Sequence, residues 1–74
     1  MGEMRVMGRQ GDTRVTWDSE QAQEVEAAEA TFKSYLAKGF AAFRVTKRDR
    51  KGSQIEGFDP LAEEILLVPP MAGG

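Results

Sequence analysis

One apolar stripe most constrains how this chain can fold. Val25, Ala28, Phe32, Tyr35 and Leu36 recur at three- and four-residue steps, the period that lines up side chains along one face of a helix. Asp18 or Ser19 is suited to cap its start, with Gln21 three residues after Asp18 as in a capping box. Glu20, Glu24, Glu26 and Glu29 crowd its first half, while Lys33 and Lys38 lie toward its end, so the charges oppose the helix dipole. Gly39 supplies a left-handed stop. The pattern predicts a helix from about Ser19 to Lys38. No second helix of that length is written in the 74 residues, so the stripe must be buried against something else. A small sheet with one apolar face meets that need.

The remaining residues supply such a sheet. Met4-Arg5-Val6-Met7 is β-compatible, Gly8 to Asp12 has turn chemistry, and Thr13-Arg14-Val15-Thr16-Trp17 alternates with Thr13, Val15 and Trp17 on one face. Beyond the helix, Phe40 to Thr46 reads as an inner strand and Lys47 to Ser53 as a charged turn. Gln54-Ile55-Glu56 is a weak short return, Leu61 to Glu64 a short helical turn, and Ile65 to Val68 the closing strand. The expected class is α+β, summarised as ββαββ, with one long helix packed on a mixed sheet. If the first and last strands pair in parallel at the sheet centre, the helix becomes a crossover after the opening hairpin. That arrangement is the β-grasp. Residues 1–68 are expected to form the domain and residues 69–74 a flexible tail. Trp17, Phe32, Tyr35, Phe40 and Phe43 are assigned to core packing.

Composition removes whole classes of function. The chain has no cysteine, hence no disulfide, thiolate zinc site or sulfur nucleophile, and no histidine, the usual general base and metal ligand. Self-contained catalysis is not expected, and neither is a bound metal or cofactor. The longest apolar run, Ile65 to Val68, is far too short to span a bilayer, and no signal-peptide pattern opens the chain. A soluble cytoplasmic protein is the expectation. Formal charge is −2, so no overall field draws the chain to nucleic acid.

The chain closes on Val68-Pro69-Pro70-Met71-Ala72-Gly73-Gly74. Proline has no amide hydrogen, so Pro69-Pro70 cannot extend a central ladder and must steer the chain off the sheet. Gly73 and Gly74 carry no Cβ and can pass through a channel too narrow for other residues. Six extended residues span roughly 20 Å, enough to carry a terminal carboxylate into a partner's active site. The plainer reading is a frayed glycine-rich end, with Pro69 and Pro70 merely protecting a sheet edge. A strand and a Pro-Pro exit directly before the diglycine favour delivery. Met71 and Ala72 then serve as tail contacts in a partner groove.

On these residues the chain resembles the ubiquitin-like β-grasp proteins, most closely their MoaD- and ThiS-like sulfur carriers. Members of that branch close with a small acidic turn, a hydrophobic strand, Pro-Pro, two small residues and Gly-Gly. Here that stretch is Pro60-Leu61-Ala62-Glu63-Glu64 followed by Ile65 to Gly74. The resemblance implies a carrier, not an enzyme. An E1-like adenylating partner of the MoeB/ThiF kind would use ATP to activate the Gly74 carboxylate, and sulfide transfer would then give a thiocarboxylate. A synthase large subunit would be a further partner. The alternatives are a ubiquitin-like modifier joined through Gly74 to target lysines, and a non-catalytic interaction module with an incidental tail.

A second feature is the basic run Arg44, Lys47, Arg48, Arg50 and Lys51, broken by Asp49. A charge run on a turn is usually a solvated surface. As a functional element it would be a docking patch for an acidic partner. It lacks the interleaved aromatics of a nucleic-acid footprint, and the acidic helix opposes that use. The helix glutamates read as a solvated face rather than as metal ligands.

Overall fold

A computed structural model describes residues 2–8, 11–48 and 52–70 of the chain. The elements run β1 (Gly2–Val6), β2 (Thr13–Trp17), α1 (Ala22–Ala37), β3 (Ala41–Val45), β4 (Ser53–Ile55) and β5 (Glu64–Val68). They form one mixed sheet in the order β2-β1-β5-β3-β4. β1 pairs antiparallel with β2 and parallel with β5, while β3 pairs antiparallel with both β5 and β4. The ββαββ summary is therefore short by one strand. The weak return read at Gln54-Ile55-Glu56 is the strand it leaves out: it runs one residue earlier, Ser53–Ile55, and pairs with β3 through Ala42↔Ile55 and Arg44↔Ser53.

The core lies between α1 and one face of this sheet. Met4 and Val6 of β1 stand in register with Ile65 and Leu67 of β5, and Leu67 stands opposite Ala42 of β3. All five are buried, together with Trp17 from β2 and Ala28 and Phe32 from α1. Val25, Tyr35 and Leu36 pack against this cluster, so the whole helix stripe is used. Burying such side chains contributes roughly 1.5–3 kcal/mol each for the larger ones, which is what orders a chain this short.

The helix begins later than its capping residues suggest. Gln21 is its N-cap and makes no side-chain capping bond. Asp18 instead builds a turn ahead of the helix, accepting the Glu20 amide on Oδ1 at 2.9 Å and the Gln21 amide on its carbonyl at 2.9 Å. The Asp18 amide donates to the Glu24 carboxylate at 3.0 Å, so the reciprocal partner is Glu24, not Gln21. The other end is as expected: Gly39 has φ +95° and donates its amide to the Leu36 carbonyl.

Two further expectations change. Leu61 to Glu64 is not a helical turn. Asp59 accepts the Leu61 amide on Oδ1 and the Ala62 amide on its carbonyl, with Pro60 between them, which makes a tight turn leading straight into β5. Phe43 does not join the core. Ala42 points to the helix side of β3, and strand alternation sends Phe43 to the other face. The half-buried Phe58 packs against the core instead, with its ring centroid 5.0 Å from Trp17 and 5.6 Å from Phe32. The Trp17 indole N–H donates to the Pro60 carbonyl at 3.0 Å and ties this loop to β2.

Candidate functional site: the exit from β5 and the open sheet face

β5 occupies the centre of the sheet because its side chains are apolar on both faces. Ile65 and Leu67 are fully buried under α1, while Leu66 and Val68 are half-buried on the opposite face. Flanked by β1 and β3, the strand satisfies its backbone within the sheet and offers two apolar faces. The ladder ends where Val68 stands opposite Ala41. Pro69 follows, half-buried, and then Pro70, exposed. The Pro70 ring lies 3.6 Å from where a Cβ on Gly39 would stand, so the chain leaves the sheet beside the C-terminal end of α1. Without amide hydrogens, neither proline can donate to a neighbouring strand. The expectations for Met71, Ala72, Gly73 and Gly74 concern positions outside the described residues.

The face opposite α1 has a definite composition. Phe43 of β3 stands directly opposite Leu66, and Ala41 opposite Val68, giving an apolar strip across β3 and β5 that runs up to Pro69. Toward β2 the face turns polar. Leu66 is in register with Arg5, and Arg5 with Arg14. Glu3 sits between these two arginines at 3.6 Å from Arg5 and 3.4 Å from Arg14. These are solvent-exposed ion pairs, worth well under about 1 kcal/mol each, so they shape the rim of the face more than they stabilise it. Sequence reasoning passed over Phe43, Leu66 and Val68 as ordinary packing residues. The available signal was Ile65-Leu66-Leu67-Val68, apolar at every position where a one-sided strand would alternate.

The basic run is not assembled into one patch by the residues described. Arg44 shares the helix-side face with its register partner Ile65, and its guanidinium donates to Asp59 Oδ2 at 3.1 Å. Lys47 instead lines an open groove of about 630 Å³ with Gly2, Glu3, Glu63 and Glu64, three of which are carboxylates. Arg48 is exposed in the turn that follows β3. Arg50 and Lys51 lie outside the described residues. Because Val45 is opposite Glu64 while Ala41 is opposite Val68, this turn and the Pro69-Pro70 exit lie at opposite ends of the sheet. Four strand residues separate them, roughly 13 Å.

What the described surface offers chemically is an apolar contact face that is continuous with the start of the C-terminal segment. Among the described residues, no helix is long and apolar enough to cross a membrane. No family model, curated protein or solved structure matches this chain.

Proposed function

We propose that this chain is a β-grasp sulfur carrier whose Gly74 carboxylate is adenylated by an E1-like enzyme and then converted to a thiocarboxylate. The observation that carries the reading is the position of β5. It lies parallel to β1 at the centre of the β2-β1-β5-β3-β4 sheet, and it leads directly into Pro69-Pro70 and the diglycine. Burial of Ile65 and Leu67 anchors the base of the segment, so a pull on its end is resisted by the core and not by an edge strand.

The chemistry follows from the end group. A carboxylate is a poor electrophile. Its oxygen attacks the α-phosphorus of ATP, pyrophosphate leaves, and an acyl-adenylate forms. Hydrosulfide then attacks the acyl carbon and expels AMP, leaving the thiocarboxylate and a proton. Both steps take place in the partner's site, where holding the acyl carbon next to its nucleophile supplies much of the rate. Gly73 and Gly74 leave that carbon unhindered, and Phe43, Leu66 and Val68 give the partner an apolar face to grip beside the tail.

That same face supports a second reading, an interaction module that binds through Phe43, Leu66 and Val68 whatever becomes of the tail. One set of measurements separates the readings. The protein is incubated with an E1-like adenylating enzyme from its own host, ATP and sulfide, and pyrophosphate release and intact mass are followed. A carrier releases pyrophosphate and exchanges one oxygen for one sulfur, and removal of Gly73-Gly74 abolishes both. Conjugates to lysines in place of that exchange would identify a modifier. Pyrophosphate release that survives the deletion, or native protein whose last residue is not Gly74, overturns activation at this carboxylate. A partner that Leu66→Lys releases but the deletion does not would identify the interaction module.

A further inference from the structure

We draw no further inference here: the strongest candidate, the open groove at the Glu64 end of the sheet lined by Glu3, Glu63, Glu64 and Lys47, is a carboxylate cluster in which no buried, unpartnered polar side-chain atom among the described residues points to a ligand.

Discussion

Leu66 and Leu67 are adjacent, chemically identical and in the same strand, so replacing each with alanine isolates the effect of the face it occupies. Leu67 is fully buried and held between Val6 of β1 and Ala42 of β3, both fixed by backbone ladders. The cavity left by Leu67→Ala has little room to collapse, which puts the cost in the upper part of the range of about 2–5 kcal/mol. A domain of this size holds only about 3–5 kcal/mol in total. The variant should therefore retain a net stability within about 2 kcal/mol of zero, with a sizeable unfolded fraction at 25 °C. Leu66 is half-buried between Arg5 and Phe43, and its truncation removes side chain that water already reaches. That change should cost about 1 kcal/mol or less. Urea unfolding followed by the fluorescence of Trp17, the only tryptophan, measures both. Leu67→Val, expected to cost about 1 kcal/mol, keeps the comparison measurable if the alanine variant is too unstable to study. Equal costs for the two alanine variants, or a larger one for Leu66→Ala, would refute the assignment of faces in β5.

Gly39→Ala should cost roughly 1–2 kcal/mol, because an L-residue is forced to positive φ while Pro70 is at ordinary contact distance. An unchanged urea midpoint would mean that the backbone beside the tail exit is not held as described. Trp17→Phe strands the Pro60 carbonyl and should cost about 1–3 kcal/mol. A thermal melt followed by circular dichroism should shift down by several degrees for each kcal/mol lost, and an unchanged melting temperature would deny that this bond holds the Phe58 loop. Arg44→Ala removes one exposed ion pair with Asp59 and should change stability by less than about 1 kcal/mol. A loss of several kcal/mol would show that this bridge is a structural clamp.

Much of this architecture is legible in local pattern. The helix stripe, the alternation of Thr13 to Trp17 and the glycine stop at Gly39 are each written within a few residues, because helix and strand periods are properties of near neighbours. The errors share a cause. Asp18 has the chemistry of a helix cap, but the Asp18–Gln21 turn takes its oxygens first. Phe58 sits among turn residues with no period to flag it, and it packs against the core only because Trp17 and Phe32 converge on it from β2 and α1.

The candidate site divides in the same way. Pro69 and Pro70 mark a departure from the sheet on chemistry alone, since a residue without an amide hydrogen cannot continue a ladder wherever it sits. That the departure begins from the central strand, next to Gly39 and at the far end from Lys47, follows only from the register of β5 against β1 and β3. The same register makes Leu66 and Phe43 neighbours on an open face and separates Arg44 from Lys47, although the chain places those two only three positions apart. Periodicity tells which residues share a side of one element. Which sides meet depends on pairings between segments some sixty residues apart, which form only when the core closes over them.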